Sequence, residues 1–168
     1  MRKNENSMNI EGKIYQFNLE EKVTGENSKV PGTHYIAGTI DVATNKELDN
    51  IIQVHYTYVA PTYSSGKVNA SYNALKQIIE NGKTVLNDGW DAATVVRLNP
   101  SYSLNDYYRD QGKGELVSIP RNEGGFVTIM NENAIHPEGA IERNKFEIDI
   151  VINNVSEVIP EEGDEYVV

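Results

Sequence analysis

The sequence places few side chains in a spacing that could catalyse a reaction or hold a metal. His34, His55 and His136 stand in three separate segments, and none has a second histidine at a metal-binding spacing such as H-x-x-x-H. If the strands that carry His34 and His55 pair, these two residues face each other, and we interpret them as surface residues rather than ligands. The chain has no cysteine, which excludes disulfides, thiolate ligands and cysteine nucleophiles.

The hydroxyl-bearing motifs also fall short of an active site. SSGK, residues 64–67, has a Gly-Lys pair but lacks the G-x-x-x-x-G-K-[ST] spacing of a phosphate loop. SYSL, residues 101–104, is not the G-x-S-x-G elbow of a serine hydrolase. The acidic pair Glu147 and Asp149 falls on one strand face, where we expect it to serve solubility. We therefore predict a protein that is not an enzyme and that uses no metal and no cofactor.

Tyrosine is the residue type whose placement is most informative. Residues 51–79 contain four tyrosines and no phenylalanine, although a strand that needs only apolar filling can use Phe, which has no hydroxyl to satisfy. Period two puts Tyr56 and Tyr58 on one strand face with Ile52 and Val54. Two interpretations stay open for these rings: they lie in the core with their hydroxyls at its rim, or they line an outer groove as stacking platforms.

A second group of tyrosines lies among basic residues in NPSYSLNDYYRDQGKGE, which we predict to be a long polar loop at 99–115. Rings that stack on bases, at about 1–3 kcal/mol each, and cations that meet phosphates suit a loop that holds a nucleic acid strand. The alternative is that Tyr107 and Tyr108 pack the loop against the protein. PTYSSGKVN, residues 61–69, has a similar composition. The candidate nucleic-acid-binding residues are therefore Tyr56, Tyr58, Tyr63, Lys67, Tyr102, Tyr107, Tyr108, Arg109 and Lys113.

Periodicity indicates a chain made mostly of strands. One segment, ASYNALKQIIEN at 70–81, has helical period, with Asn69 or Ser71 as the N-cap and Gly82 as a left-handed C-cap. The first strand changes phase along its length, and Gly12 is the candidate bulge. RNEGG, residues 121–125, is predicted to be a tight hairpin turn. Strands are predicted at 9–19, 34–43, 51–60, 93–98, 114–119, 124–130 and 145–158.

Three strands, a helix and two further strands are the element order of the OB-fold, a small β-barrel. We predict an OB-fold-like five-stranded barrel over residues 9–130, with the helix between strands three and four and an extra C-terminal strand. Another barrel or a sandwich with one helix is the alternative. The domains are then a flexible N-terminus at 1–8, a single domain at 9–158 and an acidic C-terminal segment at 159–168.

The net charge of −10 is unevenly distributed. Residues 51–121 hold seven basic and six acidic side chains, whereas EVIPEEGDEYVV at the C-terminus holds five acids. The total argues against a nucleic-acid binder of the broad basic-patch kind, but it leaves room for a local basic groove. The N-terminus lacks the apolar core of a signal peptide and no apolar run approaches the about 20 residues of a membrane span, so we expect a cytoplasmic protein without a membrane partner.

Three runs in this chain, YTYVAPTYSSGKVN with YNALKQIIENGKT, NDYYRDQGKGELVS, and EGGFV, resemble phage-encoded OB-fold single-stranded DNA-binding proteins. The resemblance spans residues 10–158. It implies binding of single strands without sequence preference, and an acidic C-terminal tail that recruits replication or recombination proteins. EEGDE at 161–165 is similar to such a tail, but the closing YVV is typical of the start of a strand and leaves open whether the chain is cut from a longer one.

Residues and resemblance together predict a non-catalytic single-stranded DNA-binding protein of the phage replication or recombination type, located in the host cytoplasm. The alternative is a structural or interaction protein, such as a virion component or an acidic inhibitor that mimics DNA. The net charge favours the alternative, and the tyrosine-rich basic loops favour DNA binding. The sequence leaves open whether the nucleic acid is DNA or RNA and whether the protein is a homo-oligomer.

Overall fold

The computed structural model describes residues 5–112, 114–150 and 152. Nearly half of them lie in strands, and the one long helix has twelve residues. The elements in chain order are β1 (Asn6–Val23), β2 (His34–Ala43), β3 (Ile51–Val59), α1 (Ala70–Asn81), α2 (Val85–Asp88), β4 (Val95–Tyr108), α3 (Arg109–Gly112), β5 (Leu116–Ile129), a 3-10 turn (Glu132–Ala134) and β6 (Lys145–Ile148).

Five strands pair edge to edge in a closed ring with the order β1-β2-β3-β5-β4-β1. Four of the junctions are antiparallel. The ring closes where β3 and β5 run parallel, through the pairs Val54–Asn122 and His55–Glu123. Helix α1 lies between β3 and β4 in the chain, as predicted. The expectation of a mostly β protein with five principal strands and one helix between the third and fourth is therefore confirmed.

Strand β1 pairs with β6 and β4 through residues 6–13 and with β2 through residues 13–23, and a bulge lies near the start of the second part. Its pairing with β2 shifts between Ile14 and Gln16, which leaves Tyr15 as an extra residue. The extra residue reverses the alternation, so that Ile14 before it and Leu19 after it both point into the core. The predicted bulge at Gly12 was wrong. Gly12 is instead a point of close approach between β1 and β2, since a Cβ there would lie 2.2 Å from the carbonyl oxygen of Ala43.

Helix α1 has the predicted bounds and closes over the core of the ring. Asn69 caps it by accepting a 3.1 Å hydrogen bond from the Ser71 amide, and Leu75 and Ile78 are fully buried on its inner face. The predicted left-handed C-cap was wrong, because Gly82 has an extended backbone and donates its N–H to the Ile78 carbonyl. The core also takes side chains from all five strands of the ring: Ile10, Ile14, Leu19, Ile36, Ile40, Val42, Val54, Tyr56, Val96, Leu98 and Val127.

The second half of the chain differs most from expectation. The predicted polar loop at 99–115 is largely strand, because β4 runs on to Tyr108 and turns through α3 into β5. The predicted hairpin turn at 121–125 lies inside β5. Gly124 and Gly125 have positive φ angles of 68° and 86°, and the register shift beside them leaves one extra residue in β5. The glycine pair therefore makes a bulge in a continuous strand rather than a turn between two strands.

The chain beyond the ring returns to β1. Strand β6 pairs antiparallel with the start of β1, so residues 6–8, expected in a flexible N-terminus, lie in a strand. Only the first part of the predicted strand at 145–158 is described as a strand, and residues 151 and 153–158 lie outside the described residues, as does the acidic segment 159–168. In the part of the chain that is described, no helix is both long and apolar enough to cross a membrane.

Candidate nucleic-acid interface

The two tyrosines of β3, Tyr56 and Tyr58, lie in different environments. Tyr56 is a core residue, only 2% exposed, and burial raises the pKa of its hydroxyl above its usual value. Tyr58 is 51% exposed. The register supplies the reason: Tyr56 pairs with Gly38 and Val59 with Ile36, so β3 advances three residues while β2 advances two. The extra residue turns Tyr58 outward, and the core interpretation holds for Tyr56 alone.

Tyr58 joins two other exposed rings around one depression, which we name the aromatic cleft. Tyr63 from the loop after β3 is 43% exposed, and Phe126 from β5 is 63% exposed. The cleft has a volume of about 270 Å³. On its outer side, the Tyr58 ring lies 4.7 Å from the Tyr35 ring, centroid to centroid, at a tilt of 31°. The cleft is lined by Tyr58, Val59, Tyr63, Asn69, Ser71, Gly124, Gly125 and Phe126.

The walls of the cleft are held by hydrogen bonds between different elements. The Asn69 side-chain amide donates to the Ala60 carbonyl at 3.0 Å, which fixes the loop after β3 to the start of α1. The Ser71 hydroxyl accepts from the Val127 amide at 3.3 Å, which ties α1 to β5. At Gly125 a Cβ would lie 1.8 Å from the Asn99 carbonyl oxygen, so no side chain fits there. The cleft is therefore preformed, with bare backbone as part of its surface.

Tyr63 and Lys67 lie in one tight loop at the edge of the cleft. The Tyr63 amide donates to the Lys67 carbonyl and the Gly66 amide to the Tyr63 carbonyl, both at 2.8 Å. Thr62 and Val68 close the loop with a β-bridge. Both Tyr63 and Lys67 are exposed. Composition predicted both residues, and the fold places Tyr63 beside Tyr58 with Lys67 in the same loop.

The remaining candidates except Lys113 lie on a second structure, the β4–β5 arm, which comprises residues 102–112 and 114–120. Tyr102, Tyr107, Tyr108 and Arg109 are all exposed there. Strand alternation puts Tyr107 and Tyr108 on opposite faces of the arm, so these two rings do not share a groove. None of the arm's described tyrosines lines the aromatic cleft. Lys113 lies outside the described residues.

The arm is not a basic surface in the part that is described. Arg109 is its single cation there, whereas Asp106, Asp110 and Glu115 supply three carboxylates. Phosphate contacts require an excess of positive charge near the strand. The described part of the arm therefore has rings among more carboxylates than cations, whereas Lys67 lies in the loop that brings Tyr63 to the aromatic cleft.

The histidines do not come together. His34 of β2 pairs with Val23 of β1, and His55 of β3 pairs with Thr39 of β2. The expectation that the two histidines face each other was therefore wrong. Within residues 5–112, 114–150 and 152, no three His, Asp or Glu side chains are placed to hold a metal ion.

A buried ionic cluster lies away from the cleft and was missed by sequence reasoning. The Glu11 carboxylate is fully buried and accepts hydrogen bonds from Arg97 Nε at 2.7 Å and from the His136 backbone amide at 2.8 Å. Burial alone would raise the pKa of Glu11, but the bonds from His136, Arg97 and Asn9 outweigh it and lower the pKa to about 2. The cluster joins β1, β4 and the segment after β5, so its role is structural.

Three residues of β5 that line the aromatic cleft, Gly124, Gly125 and Phe126, were also missed. The run GGFVTIM predicts a strand, but that prediction assigns Phe126 to neither face. Period two supplies the missing signal, because Val127 and Ile129 occupy the inward positions and leave Phe126 outside. The glycine pair before it carried a signal too, since adjacent glycines inside a strand mark a bulge or a close backbone approach.

No curated protein sequence matches this chain. A family model described as YorF matches residues 4–168. The match takes in the whole ring, every residue that lines the aromatic cleft, the arm and β6. This chain belongs to the YorF family.

Proposed function

We propose that this protein binds single-stranded DNA without catalysing a reaction, and that its ring of five strands is an OB-fold barrel. The ring order β1-β2-β3-β5-β4-β1 with a helix between β3 and β4 supports the barrel. In that fold, the outer surface near the second and third strands and the loops around it hold oligonucleotides. The aromatic cleft opens at the end of β3, beside that surface.

The observation that carries the proposal is the convergence of three exposed rings, Tyr58, Tyr63 and Phe126, on one preformed cleft. A packed core would have buried these rings, and exposed apolar surface of this kind marks a binding site. Stacking of a base on an aromatic ring contributes about 1–3 kcal/mol and does not depend on the base, since every base has a π-face. Such rings suit a strand bound without sequence preference.

The polar groups around the rings fit a minor electrostatic contribution. Lys67, in the loop that carries Tyr63, would meet one phosphate, and Asn69 and Ser71 supply neutral groups in the cleft wall. Each phosphate contact on a single strand contributes about −0.7 to the slope of log K against log salt concentration. We therefore expect a shallow salt dependence, consistent with a chain whose net charge is −10.

The alternative function, an interaction protein or an acidic DNA mimic, draws on that same net charge. A DNA mimic presents carboxylates in place of phosphates and binds DNA-binding proteins, not DNA. Direct titration with a single strand separates the two hypotheses, because a mimic repels the oligonucleotide at low salt, where a binder holds it most tightly.

The experiment is fluorescence anisotropy of a labelled oligo-dT at two salt concentrations, with Tyr63→Ala as the test variant. Tyr107→Ala is the matched control, because Tyr107 is 44% exposed against 43% for Tyr63 and lies outside the cleft. We expect Tyr63→Ala to weaken binding by about 5–150-fold, and Tyr107→Ala to leave it unchanged. An absence of wild-type binding at low salt would refute the proposed function. Equal losses of affinity in both variants would show that the binding site lies outside the aromatic cleft.

A further inference from the structure

Strand β6 has one edge that no described strand covers. It is the last strand in the sheet order, next to β1, and among the described strands it pairs with β1 alone. The Asp149 amide donates to the Glu5 carbonyl at 2.8 Å, so position 149 points its backbone groups towards β1. By alternation, Phe146 and Ile148 point their N–H and C=O groups towards the open edge. Unpaired groups in a row are a template for another strand.

The same segment carries an apolar stripe. Phe146 is 66% exposed and Ile150 is 71% exposed, and large apolar side chains occupy every second position between 146 and 152. Phe146 also borders a groove of about 210 Å³ that Met8, Ile10 and Ile52 line at the end of the ring. Apolar side chains in such a row beside an open edge fit the pattern of a strand that another strand covers.

The charges on β6 make it complementary to itself. In an antiparallel pair of identical strands, residues at equal distances from the centre face each other. A centre at Phe146 puts Lys145 of each copy opposite Glu147 of the other, so the contact contains two such pairs. A centre at Glu147 would put that carboxylate opposite itself, and a centre at Ile148 would put Glu147 opposite Asp149. Centring on Phe146 alone yields only opposite charges, and opposite charges across strands stabilise the pair.

We propose that two copies of this chain associate through β6, as antiparallel strands related by a two-fold axis at Phe146. Position 146 faces the open edge, so the two Phe146 residues exchange backbone hydrogen bonds at the axis and their rings pack together. Lys145 and Glu147, which lie 3.1 Å apart within one copy, then each meet their opposite across the axis. The contact is isologous, and it extends the sheet of one copy into that of the other.

Charge reversal tests this contact in the full chain. Lys145→Glu places two acids opposite each other across the axis, and Glu147→Lys places two lysines opposite each other. Each variant alone should raise the dimer dissociation constant by about tenfold, since each of the two cross-strand pairs changes from attractive to repulsive. Mixing the two variants restores opposite charges across the axis, so the mixture should form a heterodimer with close to wild-type affinity. Because the rescue requires both chains, repair of a pair within one chain cannot produce it.

The measurements are analytical ultracentrifugation and native mass spectrometry, with one variant isotope-labelled so that the heterodimer is identified by mass. Circular dichroism confirms that each variant is folded. A wild-type chain that stays monomeric at about 100 µM overturns the proposal, since association of micromolar affinity would be complete there. A mixture that fails to associate overturns it as well, and so does a Glu147→Gln variant that dimerises more tightly than wild type. A monomeric full chain whose truncation after Ile152 forms dimers would mean that residues 153–168 cover the edge instead.

Discussion

The buried carboxylate of Glu11 lies 2.6 Å from Nη2 of Arg97 and joins the first strand of the ring to the fourth. This ion pair connects the side chains of the two strands at the position where the backbone register also pairs Glu11 with Arg97. His136 adds its backbone amide at 2.8 Å and its ring Nδ1 at 2.7 Å. The segment that leads to β6 is thereby attached to the outside of the ring.

Removing the charge of Glu11 should destabilise the protein. Glu11→Gln leaves Arg97 beside a neutral amide and breaks the bond with the His136 ring or its backbone, and disruption of a buried ion pair costs about 3 kcal/mol. Urea unfolding followed by tryptophan fluorescence measures the loss. Glu47→Gln, on an exposed turn, is the control and should change the free energy of unfolding by less than about 0.5 kcal/mol. Equal stability of the two variants would contradict the role of the cluster.

Acid should weaken the fold through the same residue. Because the pKa of Glu11 is lowered from 4.5 to about 2, its stabilising effect is complete above pH 4.5 and is lost as the pH falls from there towards 2. The loss over that window is about 3 kcal/mol. The free energy of unfolding measured at intervals between pH 6 and pH 3 tests this. The curve for Glu11→Gln should fall less steeply, and parallel curves would assign the acid sensitivity to other carboxylates.

Tyr56→Phe should stabilise the protein or leave its stability unchanged. The Tyr56 hydroxyl is buried and has no hydrogen-bond partner among the described residues. A buried hydroxyl without a partner is unfavourable by about 1–3 kcal/mol, and Phe fills the same space without it. Thermal and urea melts measure the change, with Tyr58→Phe as the exposed control. A destabilised Tyr56→Phe would show that the hydroxyl is bonded in solution, for example by a buried water.

Phe126→Ala should separate binding from folding. The ring is exposed at the cleft, so its loss should lower affinity for oligo-dT by about 1–3 kcal/mol and shift the melting temperature little. Val127→Ala is the neighbouring control, because Val127 lies in the core. It should lower the melting temperature and leave the affinity of the folded protein intact. If Phe126→Ala lowered the melting temperature as much as Val127→Ala did, the ring would be part of the packing.

The parts of the fold that the sequence predicted correctly have strong local signals. The bounds of β2 at 34–43 and of α1 at 70–81 were both predicted, because β-branched alternation in one and helical period with an Asn cap in the other do not depend on distant residues. The polar stretch after Asn99 has no such signal. Its composition is that of a loop, and it becomes a strand because β5 pairs with it residue by residue as far as Tyr108.

The candidate site depended on register shifts that no local pattern reveals. Tyr58 is exposed because β3 gains a residue against β2, and Phe126 borders the same cleft because β5 gains one against β4. Each shift depends on residues of the partner strand, which the pattern within one strand does not contain. Composition could select Tyr63 and Lys67 as neighbours within one loop, but it could not join that loop to the Phe126 side chain on β5, the last of the five paired strands.

The parallel junction of β3 with β5 holds the ring shut with two residue pairs, Val54–Asn122 and His55–Glu123. Every other junction of the ring has more. A short seam opens at a lower free energy than the rest of a sheet, so the amides on either side of it should exchange their hydrogens with solvent sooner than those of β1 and β2. The glycine pair that forms part of the aromatic cleft directly follows Glu123, at the end of this seam. Opening and closing of this junction would therefore change the width of the aromatic cleft. A ligand bound in the cleft would slow hydrogen exchange at the β3–β5 junction, although it contacts only one end of that junction.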